Sequence, residues 1–365
     1  MDITLLEQQN KTIGKIVHIS DIHIYLPIDN NRKKEYDIIL NNLYGQISKL
    51  INENNNLLIC ITGDLCHKNK LYGKEINYVE LFLAKLCSYA PVVMSPGNHD
   101  YNSYESEKMT YIEPIMRNKK TTNPFYLLSE NGLYRYNNLI FGLTSVYSKC
   151  VVKCDVHVDK NIKKIGLYHG HVHSKKISKI VPDKDCYFKL NEFESYDMCL
   201  FGDIHQPSSL DDAQSRWYAG SLIQQQGEQL DHGYVLWDVE KSRGEFIKLK
   251  NEYGYVTFEI DEDGYNKIST EDYPKYAKVQ CMYKNIDYTR AKKYAEDIKK
   301  KYGVYVEPQM DFTVKNTQNN NTINNNINDI QTKEGLYDFI VKYISERENI
   351  DEMKKIDYFI KKIMN

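Results

Sequence analysis

What is scarce in this chain narrows it first. Neither sign of charge dominates: 48 Lys and Arg stand against 50 Asp and Glu, for a formal net charge of −2. Nothing in that balance announces nucleic-acid binding, so a grip on DNA would have to come from a local patch, from metal ions or from a partner. Long apolar runs are missing too. No stretch approaches a membrane span, and the start, Met1-Asp2-Ile3-Thr4, has no signal-peptide features. The expectation is an intracellular chain with no membrane association. The 8 cysteines include no CxxC pair. Cys60, Cys66, Cys87 and Cys199 sit in apolar contexts and read as buried free thiols, which places the chain in a reducing compartment: cytoplasm, nucleus or viral replication site. Cys150 and Cys154 are at most half of a zinc site, because no second pair completes it.

What is present supports a sizeable core. The chain has 365 residues, 41% of them hydrophobic, enough for one large α/β domain with appendages. Its richness in Asn, Ile, Lys and Tyr is a lean typical of AT-rich genomes and says nothing about mechanism.

Five short motifs run in order: D-I-H at Asp21 to His23, G-D-L-C-H at Gly63 to His67, G-N-H-D at Gly97 to Asp100, Y-H-G-H-V-H at Tyr168 to His173, and G-D-I-H at Gly202 to His205. Each follows a short apolar run that reads as a buried strand: Lys15 to Ser20, Leu57 to Thr62, Pro91 to Ser95, Ile162 to Tyr168 and Tyr196 to Phe201. Leu139 to Ser145 reads as a sixth. Glu35 to Asn52 and Glu75 to Tyr89 carry apolar residues at helical spacing. Alternating strands and helices predict an α/β sheet, in which ligands gather at the carboxyl ends of strands. All five motifs begin there.

The predicted layout is 1–240 for the motif-bearing domain, 241–312 for a small α+β module, 313–332 for an Asn-rich linker and 333–365 for a helical segment. The linker composition cannot bury a core. Beyond it, Leu336, Phe339, Ile340, Tyr343 and Ile344 form one apolar stripe, and Ile356, Phe359, Ile360 and Ile363 another. Such stripes dock back on their own chain or on a partner.

The residue types suit phosphodiester hydrolysis by two metal ions held about 3.5–4 Å apart. A carboxylate must bridge the ions, and Asp64 is the natural bridge beside the turn at Gly63. Asp21 and His23, two residues apart, can chelate one ion if the backbone there stays extended, with His205 completing that site. Asn98, His169 and Asp203 can serve the second. His99 would face the phosphate and stabilise or protonate the leaving oxygen. His67 either supports a ligand from outside or faces phosphate. His171 and His173 invite a zinc reading, but one His from that loop already satisfies the site. His18 reads as a core histidine.

These residues resemble the calcineurin-like metallophosphoesterases, and within them the SbcD/Mre-eleven DNA repair nucleases. G-D-L-C-H-K-N-K, P-V-V-M-S-P-G-N-H-D, C-L-F-G-D-I-H-Q-P and Y-A-G-S-L-I-Q-Q-Q-G-E-Q look like that branch's second, third and last motifs and the strand after them. The G-D-x-H-G and G-D-x-V-D-R-G patterns of protein phosphatases are missing. The resemblance covers about the first 240 residues. It implies a four-layer αββα metallophosphoesterase sandwich with a capping module and C-terminal helices. It implies ligands at Asp21, His23, Asp64, Asn98, His169, Asp203 and His205, a catalytic His99, and two divalent ions, manganese or magnesium. It also implies DNA as substrate, a homodimer, and an SMC/SbcC-type coiled-coil ATPase bound through the terminal helices. One departure stands out: the family has G-H-x-H where this chain has G-D-I-H. Asp203 adds negative charge and hardens the second site, favouring manganese or magnesium over zinc.

The leading expectation is therefore a DNA exo/endonuclease subunit of a repair or recombination complex. The alternative is a stand-alone phosphoesterase for small nucleotides or phosphodiesters, which has little use for the appended module and helices. The intact ligand set argues against a decayed scaffold.

Overall fold

A computed structural model describes residues 2–7, 11–26, 31–53, 56–67, 71–101, 110–157, 159–177, 187–225, 231–268, 274–284, 286–302 and 305–307. The expected linker and terminal helical segment lie outside these residues. Among the described residues no helix is long and apolar enough to cross a membrane.

Two mixed β-sheets carry the chain. The six-stranded sheet runs Arg243–Lys248, Gly233–Asp238, Lys15–Ile19, Leu57–Thr62, Val92–Ser95, Phe125–Leu127. The seven-stranded sheet runs Ile3–Leu5, Gly132–Tyr136, Leu139–Thr144, Lys163–His169, Met198–Gly202, Arg216–Tyr218, Ser208–Ser209. The first three motif strands are parallel neighbours in the first sheet. The last two are parallel neighbours in the second.

Alternation explains why these strands read as continuous apolar runs. Ile16, Leu58 and Val93 point one way and share a buried core with Phe141, Leu167 and Leu200 of the other sheet. Val17, Ile59, Ile61 and Met94 point the other way. They pack against Ile39, Leu43 and Ile47 of helix α1 (Asn31–Glu53) and Val79, Leu83 and Leu86 of helix α2 (Gly73–Tyr89). Removing one such side chain, as in Leu58→Ala, costs about 2–5 kcal/mol.

Helix, sheet and sheet thus account for three layers. The expected fourth layer of α-helices is not seen among the described residues. The outer face of the seven-stranded sheet is sealed by irregular segments, a 3-10 turn (Leu190–Phe193) and an aromatic cluster. Tyr168 meets Phe188 edge-on at 5.1 Å between ring centroids, and Phe193 meets Phe201 likewise at 5.1 Å. Among the described residues, large rings close a face that no α-helix covers.

The boundary expected at residue 240 also shifts. Arg243–Lys248 pairs antiparallel with Gly233–Asp238, so the six-stranded sheet continues through residue 248. A separate four-stranded sheet follows, in the order Gly264–Lys267, Tyr253–Asp261, Tyr276–Tyr283, Tyr305–Glu307. Val256, Phe258 and Val279 of this sheet bury Ile298, which lies on a lysine-rich helix, Tyr288–Tyr302. It is tied back to α1: Lys278 Nζ lies 2.9 Å from Glu35 Oε1, and Asn251 donates to the same oxygen at 3.2 Å.

The described cysteines are free; Cys150 is exposed and Cys154 buried. His18 sits within its strand, fully buried. Its Nε2 lies 2.7 Å from Thr62 Oγ1, and burial pushes the imidazole down to about 3.

Candidate metal centre

The five motif loops meet at the carboxyl ends of both sheets. Asp21, His23 and His205 form one cluster of converging donor atoms. His23 Nε2 and His205 Nε2 are 3.0 Å apart, and each is 3.9 Å from Asp21 Oδ1. Asp21, Asp64 and His169 form a second cluster. His169 Nε2 lies 3.4 Å from Asp64 Oδ1, 3.2 Å from Asn98 Oδ1 and 3.7 Å from Asp203 Oδ1. Asp64 faces both: its Oδ2 is 3.6 Å from His23 Nε2. All seven expected ligand positions are thus brought together, with Asp64 between the two groups.

His99 stands at the rim. Its side chain is 37% exposed, while His23 and His169 are sealed, and its Nε2 lies 4.0 Å from Asp64 Oδ2. His99, His23 and Asp64 form a third converging set, so this imidazole is near enough to share in the first cluster. Its Nδ1 lies 2.7 Å from the His67 carbonyl, an acceptor, so Nδ1 carries the proton and Nε2 is left facing the site. The His67 ring stacks on His99 at 6.1 Å between centroids. His171 Nε2 lies 3.0 Å from Asp203 Oδ2. His173 is paired into a short ladder with Lys189.

The backbone is strained where the candidate ligands sit. Among the described residues seven non-glycine residues have positive φ, and four of them are Asp21 (50°), His23 (50°), Asp64 (50°) and Asp203 (92°). The condition of extended backbone at Asp21 and His23 is therefore not met. The chain turns left-handed at both, and surrounding contacts hold it there. Tyr36 on α1 donates its hydroxyl to the His23 carbonyl. Asp21 accepts the Asp203 N–H, at 3.1 Å to Oδ2. Gly63 has φ +87, and a Cβ there would overlap the His169 ring.

Three supports play parts that the motifs by themselves did not assign. Asp100, fully buried, accepts the N–H groups of Gly97 and Cys66, each at 2.9 Å, and so clamps the second motif loop to the third. The Thr62 carbonyl lies 2.8 Å from His169 Nδ1, which leaves Nε2 to face the cluster. Tyr36, above, is the third. Aspartate two places after Asn98, and a tyrosine on the first helix, were visible signals without an address.

Burial is the largest single cause at Asp21, Asp64 and His169, but it decides the direction only at Asp21. It pushes the Asp21 carboxyl up to about 7, aided by the charges of Asp64 and Asp203 and opposed by His169. Burial alone would raise Asp64 as well, but His169, His23 and His99 hold it below the usual carboxylate range. Burial would lower His169, yet Asp64, Asp21 and Asp203 raise it well above the usual imidazole value. Three carboxylates crowd one pocket and call for positive charge. The donor set of imidazole nitrogens, carboxylate oxygens and one amide oxygen suits divalent manganese, magnesium or zinc. Space fits too: a Cβ at Gly97 would overlap Asp64, so glycine keeps that carboxylate in reach of both clusters.

Residues 14–207 match the calcineurin-like phosphoesterase family. An uncharacterized protein of Acanthamoeba polyphaga mimivirus is 30% identical over 359 residues, 95% of this chain and 26% of its own length. A DNA double-strand break repair protein Mre11 of Nanoarchaeum equitans is 25% identical over 208 residues, 52% of this chain and 57% of its own. The chain therefore spans about a quarter of one relative and little more than half of the other. A solved structure from Thermus thermophilus superposes with a TM-score of 0.35 and 13% identity, covering 66% of this chain and 100% of that one. The family match takes in all five motifs, and this chain belongs to the calcineurin-like phosphoesterases, a family of metal-dependent hydrolases.

Proposed function

We propose that this chain is a two-metal nuclease that hydrolyses DNA phosphodiester bonds. The observation that carries the reading is the placement of Asp64 between two converging donor clusters, with an accessible His99 at their rim. Asp21, His23 and His205 would hold one ion, and Asn98, His169 and Asp203 the other, with Asp64 shared. Two such ions, manganese or magnesium, would supply an acidified water and positive charge for the phosphoryl oxygens.

The chain's own residues do the rest. The His99 backbone N–H donates to Asp64 Oδ1 at 3.0 Å and orients that carboxylate. With Nδ1–H engaged by the His67 carbonyl, His99 Nε2 is the atom that faces the site, and when the ring carries a second proton there it can hand that proton to a leaving oxygen and return to the neutral Nδ1–H form. Asp100 and Tyr36 keep the loops rigid, so the donors converge before substrate arrives.

DNA as substrate is supported by the motif surroundings shared with the repair nucleases and by the similarity to the archaeal repair protein over half of this chain. The reading extends to a homodimer and to an SMC-type ATPase that takes the apolar stripes after Leu336. Such a partner would supply the DNA grip that a net charge of −2 does not.

The test is manganese-dependent cleavage of labelled single- and double-stranded DNA beside bis-p-nitrophenyl phosphate, with an Asn98 or His99 variant as control. DNA cleavage lost in the variants is expected. Hydrolysis of the small ester alone, even with a partner ATPase present, would assign the chain to small phosphodiesters instead.

A further inference from the structure

Asp203 is gripped from two sides. Its Oδ1 faces His169 Nε2 at 3.7 Å, and its Oδ2 meets His171 Nε2 at 3.0 Å. The two oxygens of one carboxylate thus have different neighbours, one inside the second cluster and one outside it.

The segment carrying His171 is pinned. Gly170, with φ 151, turns the chain between the strand Lys163–His169 and Val172–His173. The Gly170 N–H donates to the Gly202 carbonyl at 3.2 Å, next to Asp203. The Tyr218 hydroxyl donates to the Gly170 carbonyl at 2.8 Å and accepts the Val172 N–H at 2.8 Å. Tyr218 is fully buried, so both peptide groups flanking His171 are fixed from below. His171 is half-buried yet held against Asp203 by a rigid turn.

We propose that His171 is a positioning residue for the second ion, acting through Asp203. Its Nε2, 3.0 Å from Oδ2, holds that oxygen outside the cluster and keeps Oδ1 turned toward His169. The pair sets an imidazole nitrogen against the outer oxygen of the carboxylate that G-D-I-H brings to the last motif. Outer partners of this kind tune metal affinity about 10–100-fold. The inference rests on the two-metal reading above.

The experiment measures Mn2+ binding to the full chain by titration calorimetry and by the EPR signal of free Mn2+. It compares the parent with His171→Ala, His171→Gln, Asp203→His and the His171→Ala/Asp203→His double variant, with thermal unfolding of each metal-free protein as the check on folding. His171→Ala is expected to weaken one of two sites about 10–100-fold and leave the other unchanged. His171→Gln, which keeps an N–H donor, recovers most of that affinity. In the Asp203→His background His171→Ala adds no further loss. Parent-like binding of both ions by His171→Ala overturns the inference, as does an equal loss in both backgrounds. If Asp203→His loses the second ion outright, His171→Gln decides alone, and a loss equal to that of alanine overturns it. A parent that binds fewer than two ions refutes the two-metal reading itself, and this inference falls with it.

Discussion

His23 and His205 lie 182 residues apart in the chain, and their Nε2 atoms meet at 3.0 Å. Burial, before any other cause, pushes both imidazoles below their usual range, His23 well below it. Neutral rings facing one point satisfy each other poorly and suit a shared cation. Excess Mn2+ is therefore expected to raise the melting temperature, and EDTA to reverse the rise. A ligand at about 100 times its Kd adds about 2.7 kcal/mol. His205→Ala should lose most of that gain. A melting temperature indifferent to both additions would count against the first site.

His99 separates proton handling from metal holding. His99→Ala is expected to lower kcat about 10²–10⁴-fold on a phosphodiester substrate. Manganese stoichiometry, read by calorimetry, should stay at the parent value. Loss of an ion in that variant would make His99 a ligand, as its place beside His23 and Asp64 also allows.

Gly97 is needed for space. Its φ is −94, which any residue adopts, but an added Cβ would overlap Asp64 Oδ1 and the Asp64 backbone N. Backbone cannot swing aside as a side chain can. Gly97→Ala should displace Asp64 and abolish hydrolysis, while Gly45→Ala, on α1 where a Cβ meets nothing, should be silent. Parent-like rates for Gly97→Ala would show that Asp64 has more freedom than its packing implies.

Glu35 makes the contact between α1 and the four-stranded sheet acid-sensitive. Burial alone would raise its carboxyl, but Lys278 and Arg32 bring it below its ordinary value of 4.5. A depressed folded value means stability that is present above pH 4.5 and lost as pH falls through the folded value. Lys278→Met should flatten that acid-side loss. At neutral pH it should also cost roughly 3 kcal/mol, the low end for breaking a buried pair, since Arg32 still lies 2.9 Å from Glu35. Superimposable melting curves of parent and variant from pH 3 to 7 would dismiss the pair's contribution.

Much of the site was legible because its signals are local. Leu57–Thr62 is apolar on both faces, so it reads as a central strand, and Asp64 two residues on reads as a group at its carboxyl end. The same holds for the strands before Asn98, His169 and Asp203. The expected end of the main sheet at residue 240 failed for the opposite reason. Arg243–Lys248 alternates partly exposed residues, as edge strands do, and only its partner at Gly233–Asp238 says which sheet it joins. The extended backbone on which chelation by Asp21 and His23 was made to depend is absent, because a hydroxyl from another element, Tyr36, helps hold a left-handed turn that local propensity disfavours.

By itself, then, the sequence determined the chemistry of the site: which residue types stand at which strand ends, set by side-chain periodicity and loop composition. Only the tertiary structure decided how the motifs are shared out, three on one sheet and two on the other, and which oxygen of Asp64 or Asp203 faces which imidazole. The physical reason is distance along the chain. Strand burial is written in neighbouring residues, whereas His23 with His205, Asp100 with the loop at Cys66, and His171 with Asp203 are juxtapositions that exist only once two sheets have packed on a common core.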